Sequence, residues 1–168
     1  DFNYLYSGSP FQFNVDETII SPVMRPEKKL FKIIQFIKKK NELDPLLYSS
    51  YLKGKYCSIF ADIRGLKGLI INHRTSFNVM TNFFKPDAEC FSVKGIKRRE
   101  KFYDCWDTIV EYWFLNPDNF FKGRFEKKLL SNISNFEDKY FARSFYREVD
   151  ETLAVIPKRN IAPEFYHR

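Results

Sequence analysis

Apolar residues change their spacing along this chain, and those changes limit the folds open to it. Leu30, Ile33, Ile34 and Ile37 recur at intervals of three and four, the period of a helix face. Cys57, Ile59, Ala61 and Ile63 alternate with Tyr56, Ser58, Phe60 and Asp62, the period of a strand. From Lys101 onward the interval of three and four returns in Phe102, Cys105, Trp106, Ile109, Val110 and Trp113. Helical and extended patterns thus fall in blocks, which describes a segregated α+β fold rather than an alternating α/β one.

The expected architecture is a small antiparallel sheet, about residues 56–96, packed with an N-terminal helix and a C-terminal run of three helices. The first helix is predicted over 27–41, with Pro26 where a first-turn proline is tolerated and Lys38, Lys39 and Lys40 at the end that favours cations. Gly65 and Gly68 punctuate two strands, the second at Leu69-Ile70-Ile71, and Phe91 to Ile96 reads as a further short strand. Phe77 to Phe84 fits either a strand or a short helix. After the helix over 101–114, Asn116 is placed to cap a second that starts with Pro117. The pattern Ser134-x-x-Glu137 announces a last long helix, which Pro157 stops.

No repeat or linker divides the 168 residues, so a single domain spanning 1–168 is expected. It carries an irregular aromatic arm at 1–26, with one strand at Phe11 to Val15, and an extended tail at 157–168. No apolar run approaches the roughly 18 residues a membrane-spanning helix needs. Cys57, Cys90 and Cys105 are odd in number and lack CxxC spacing, and only His73 and His167 are available to complete a zinc set. This argues against structural metal and for an intracellular, reducing compartment. Nineteen Phe and ten Tyr, with eleven Asn against five Ala, are the bias of AT-rich coding and point to a virus, a phage or an AT-rich microbe.

Twenty-eight Lys and Arg against twenty-one Asp and Glu give a net charge of +7 and favour polyanionic partners. Lys94, Lys97, Arg98, Arg99 and Lys101, framed by Phe91, Phe102 and Tyr103, form the densest basic stretch. Cations neutralise phosphates, and neighbouring rings stack on unpaired bases. A second cluster holds Lys122, Arg124, Lys127 and Lys128, and a third Arg143, Arg147, Lys158 and Arg159.

Enzymatic signals are local. Ser58-Ile59-Phe60-Ala61-Asp62-Ile63-Arg64-Gly65 resembles the first metal-binding segment of class III nucleotidyl cyclases, Phe-x-Asp-Ile followed by a small residue and Gly. The resemblance implies that Asp62 binds a metal ion. It goes no further, because the family's second metal Asp follows a glycine, whereas Asp104 and Asp107 do not. Asp87, Glu126, Lys127 and Lys128 supply the residue types of a metal-dependent nuclease without its spacing. No glycine cradle for a nucleotide is present, and no motif surrounds His73 or His167.

The sequence therefore predicts a non-enzymatic protein that binds nucleic acid or a nucleoprotein assembly through Lys94 to Lys101 and Lys122 to Lys128. No cofactor, metal ligand or catalytic residue is assigned. The alternatives are a protein-interaction or structural component of a phage or virus, docking through Phe2, Tyr4, Tyr6, Phe11 and Phe13 of the arm, and a divergent cyclase-like or nuclease enzyme.

Overall fold

The computed structural model describes residues 14–25, 29–75 and 80–152. Most of the aromatic arm and all of the 157–168 tail lie outside the described residues, as does part of the 77–84 segment. Five strands form one antiparallel sheet: β1 (Val15–Ser21), β2 (Phe31–Lys39), β3 (Leu66–Arg74), β4 (Thr108–Phe114) and β5 (Phe141–Val149), in the order β1-β3-β4-β2-β5.

The expected helix over 27–41 is instead the central strand β2. Ile33, Gln35 and Ile37 point into the core, while Ile34 and Phe36 lie half-buried on the other face. A central strand carrying apolar residues on both faces loses its alternation, and pairs such as Ile33-Ile34 and Phe36-Ile37 then mimic helical spacing. The same cause turns the predicted helix over 101–114 into the end of one helix and the strand β4. Val110, Tyr112 and Phe114 face inward there, with Ile109, Glu111 and Trp113 on the opposite side.

The stretch expected as the first strand is helical. α1 (Pro45–Tyr51) runs through a π-helical turn (Leu52–Tyr56) into α2 (Cys57–Ala61). Asp44 caps it by accepting from the Leu47 N–H at 2.9 Å, and Pro45 sits at its first position. Tyr48, Leu52, Tyr56 and Phe60, each four residues after the last, are its buried ridge. Beside them, the alternation of Cys57, Ile59, Ala61 and Ile63 was a coincidence; Ala61 is exposed. Gly65, at φ +90°, turns the chain from this helix into β3, a conformation that β-carbon-bearing residues resist.

After β3 come the short α3 (Met80–Phe83), a 3-10 turn (Glu89–Phe91) and α4 (Val93–Tyr103), where a strand over 91–96 was expected. α5 (Pro117–Arg124) starts as predicted, its Asn116 cap accepting from the Asn119 N–H at 3.0 Å. α6 (Lys127–Tyr140) begins before Ser134, so that residue lies inside the helix rather than capping it. The chain extends again at Phe141 as β5, the second edge of the sheet.

Two strand–helix–strand units interleave: β2 to β3 through α1–α2, and β4 to β5 through α5–α6. That is the ferredoxin-like split arrangement, here with β1 added beyond β3. Its core joins Ile33, Ile37, Leu69, Ile71, Val110, Tyr112 and Phe114 of the sheet to Tyr48, Leu52, Tyr56, Phe60, Phe120, Ile133 and Phe136 of the helices. Residues of alternate parity on the strands point away from that core. Among the described residues no helix is long and apolar enough to cross a membrane.

Candidate functional site

The basic residues singled out by sequence separate into exposed and buried groups. On α4, Lys94, Lys97, Arg98 and Lys101 are exposed, but Arg99 is buried and its Nη1 donates to the Cys90 carbonyl. Arg99 therefore ties α4 to the preceding turn and presents no charge for phosphate. Lys122 is exposed and paired with Asp118 at 2.8 Å; Lys127 and Lys128 are exposed in the first turn of α6. Arg124 is buried against Glu137, with Nη2 to Oε2 at 3.1 Å. The two buried arginines hold the fold and must be withdrawn from the proposed contact set.

The third basic group behaves differently. Antiparallel pairing of β2 with β5 sets Phe36 opposite Phe145 on the sheet face turned away from the core. Their rings stack with centroids 4.9 Å apart and an interplanar angle of 14°. Trp106, just before β4, meets both edge-on, at 5.8 Å from Phe36 and 4.9 Å from Phe145. Alternation along β5 places Arg143 and Arg147 on the same face as Phe145. Arg143 lies 5.1 Å from the Trp106 ring centre and Arg147 5.6 Å from that of Phe145. Both arginines are exposed, and among the described residues neither has a carboxylate within ion-pair distance.

A cleft of about 540 Å³ opens beside this strip, lined by Lys38, Asn41, Asp104, Ala142 and Arg143. Lys38 is held at 3.3 Å from Asp107, which also draws Arg74 to 3.8 Å. Nearer the other end of β2 the charges are matched in place. Lys32 lies over Trp113 and 2.6 Å from Glu111, and Glu151 joins Arg25, Lys32 and the Trp113 indole N–H. The outer face thus divides into a self-neutralised region and an uncompensated cationic strip along β5.

On the inner face, polar groups converge where the core is otherwise apolar. Gln35 donates to the Tyr56 hydroxyl at 3.0 Å and accepts from Tyr112 at 2.7 Å; Tyr56 and Tyr146 both donate to Glu137 Oε1. Burial first, then the neighbouring phenols and Glu137, push the Tyr56 phenol well above its ordinary range; burial likewise raises Tyr112 and Tyr146. These tyrosines remain neutral donors at any physiological pH. Burial opposes the charge on Arg124, but Tyr146 and Glu137 outweigh it and raise its pKa further. Nε and Nη1 of Arg124 are nonetheless buried without a hydrogen-bond partner among the described residues.

Asp62, the residue carrying the cyclase resemblance, is the exposed C-cap of α2 rather than the end of a strand, so the resemblance does not extend to structure. Among the described residues no group of three His, Cys, Asp or Glu is placed to hold a metal ion. Phe36, Trp106, Gln35 and Glu137 were not distinguished as site residues by sequence. Their partners lie on other strands and helices, and only the packing of the folded chain brings them together.

No family model matches the chain, and no curated protein matches it in sequence. Solved structures are similar in shape. The Arabidopsis thaliana protein At3g17210 superposes with a TM-score of 0.49 at 10% identity, over 75% of this chain and 99% of that one. A hydroxynitrile lyase from Passiflora edulis gives 0.47 at 12% identity, over 74% and 97%. A dimeric ferredoxin-like protein of unknown function from Thermobifida fusca gives 0.47 at 9%, over 71% and 89%. The class defined here, a ferredoxin-like α+β domain with an extra edge strand and a ring-lined cationic strip, rests on the strand order and side-chain geometry of this chain.

Proposed function

We propose that the protein is a binder of single-stranded nucleic acid, and that its contact surface is the outer sheet face along β5 rather than the clusters first singled out. The observation that carries this reading is the pair of exposed, unmatched guanidinium groups of Arg143 and Arg147, each lying on a ring beside the Phe36–Phe145 stack. Single strands are bound by cations that track the phosphates and by rings on which bases stack, and neither demands a particular sequence. A sheet presenting aromatic side chains between its strands is one established platform for this. Lys94, Lys97, Arg98 and Lys101 are exposed on α4, and Lys122, Lys127 and Lys128 on α5 and α6.

The test is fluorescence anisotropy with labelled oligo(dT) and oligo(U) between 50 and 200 mM salt. Arg143→Glu/Arg147→Glu is expected to weaken binding about tenfold or more. It should also reduce the slope of log K against log salt by about 1.4, two phosphate contacts at roughly 0.7 each. Trp106 emission should be quenched on binding in the parent. Equal affinities and slopes for variant and parent reject the reading.

A second reading has one observation in its favour: among the described residues two Arg124 donors inside the helix–sheet interface lack a hydrogen-bond partner. A small carboxylate seated there would complete them, the Tyr56 and Tyr146 protons being already given to Glu137. Saturable thermal stabilisation by small carboxylic acids, lost in Arg124→Met, is its expected sign.

A further inference from the structure

The inner face of the sheet carries a second polar constellation, at the end away from Arg124. Ser49 Oγ on α1 lies 3.0 Å from His73 Nε2 on β3, and His73 Nδ1 lies 3.0 Å from Thr108 Oγ1 on β4. The Tyr48 hydroxyl donates to the same Thr108 oxygen at 3.3 Å, and its ring meets the imidazole edge-on at 6.0 Å. Tyr48 and Thr108 are buried, whereas Ser49 and His73 are half-buried, so the hydroxyl and the imidazole are the members within reach of solvent.

A nucleophile bonded to a base that is itself oriented by a third group is the arrangement used for covalent catalysis, whatever the order of residues in the chain. We infer that Ser49 is an activatable nucleophile, with His73 as its base and Thr108 as the positioning residue, and that the substrate class is an ester with an apolar acyl group. The acyl class follows from Leu46, three residues before Ser49 on the same helix face and 81% exposed. Lys53, on the following turn, adds a positive charge that acts on His73.

In the step proposed, the Ser49 Oγ–H proton passes to His73 Nε2 as Oγ bonds to the ester carbonyl carbon. His73 then returns the proton to the departing alkoxide as the carbon–oxygen bond breaks. Water, deprotonated by the same nitrogen, hydrolyses the acyl-serine and regenerates both groups. The Nδ1–Thr108 contact holds the ring in place, and in the tautomer that carries its proton on Nδ1 the ring donates to Thr108 and leaves Nε2 free to accept. Burial, then Lys53, lower the His73 pKa to about 4 against the opposing pull of Asp16 and Asp107, so the imidazole is neutral near pH 7 and able to accept a proton, as a weaker base than a free imidazole.

The experiment is labelling of the full chain with an alkyl fluorophosphonate, read by peptide mass spectrometry, together with hydrolysis of p-nitrophenyl butyrate. Ser49 is expected to be modified in the folded protein and not after heat denaturation. His73→Gln should slow modification about 100-fold, the scale of general-base assistance. Thr108→Val should slow it and Thr108→Ser restore it, which a merely structural threonine would not require. Ser49→Ala, a substitution favourable to a helix, should abolish both signals while retaining the far-UV spectrum. Absence of modification at Ser49 in the folded protein, or modification indifferent to His73→Gln, overturns the inference. Neither result bears on the β5 strip.

Discussion

Arg124 reaches from the end of α5 to Glu137 in the last turn of α6, and Glu137 in turn accepts the phenolic protons of Tyr56 and Tyr146. One carboxylate thereby joins both helices of the second crossover to the π-turn of the first and to β5. Its four donors, counting Gln35, come from four different elements: the π-helical turn, α5, β2 and β5.

Removing one partner should cost more than removing both. Arg124→Ala leaves the half-buried Glu137 with its charge unmatched, and the expected loss in urea unfolding is about 2–3 kcal/mol, below that of a fully buried pair. Arg124→Met with Glu137→Leu removes the charge pair but keeps the volume, and should recover a substantial part of that loss. A double variant less stable than Arg124→Ala would show that the Glu137 hydrogen bonds to the tyrosines outweigh the burial of its charge.

Acid should destabilise the fold in two stages. His73 titrates near 6.5 when unfolded and near 4 when folded, because burial and then Lys53 oppose its charge. The unfolded chain therefore takes up that proton first, and stability falls as pH drops from about 6.5 to about 4. Burial of Glu151 pushes its pKa upward, but the hydrogen bond and charge of Arg25, with Lys32 and Trp113, outweigh it and leave the value below 4.5. Its contribution is present above that pH and lost as pH falls through the lowered folded value. Thermal melts across pH 3–8 should show His73→Gln flattening the first stage and Glu151→Gln the second.

Gly95, in the first turn of α4, stands against backbone: an added Cβ would come within 2.2 Å of the Glu89 carbonyl oxygen and 2.9 Å of Cys90 Cα. Gly95→Ala should destabilise by about 1–3 kcal/mol, as overpacking against a rigid neighbour does. It should also detach Arg99 from the Cys90 carbonyl. Faster amide hydrogen exchange confined to 89–103 is the expected signature, and exchange unchanged from the parent would refute it.

Some of the molecule was readable before folding. Asn116-Pro117 starts α5 because a cap and a first-turn proline act through adjacent residues. Leu69-Ile70-Ile71 forms a strand, and the α+β class holds. β2 and β4 were misread because each buries apolar side chains on both faces, a property of central position in a sheet and not of local preference. The buried fates of Arg99 and Arg124 were equally illegible, since the Cys90 carbonyl and Glu137 that hold them are brought near only by packing.

The sequence by itself determined the charge excess, the wealth of rings and the places where helices can be capped, all properties of single residues or near neighbours. Which cations stay exposed, which rings meet, and that Ser49 faces His73 were decided by the antiparallel order β1-β3-β4-β2-β5. The reason is that strand pairing joins residues distant in the chain, and the alternation of each strand then assigns every side chain to the packed or the open face.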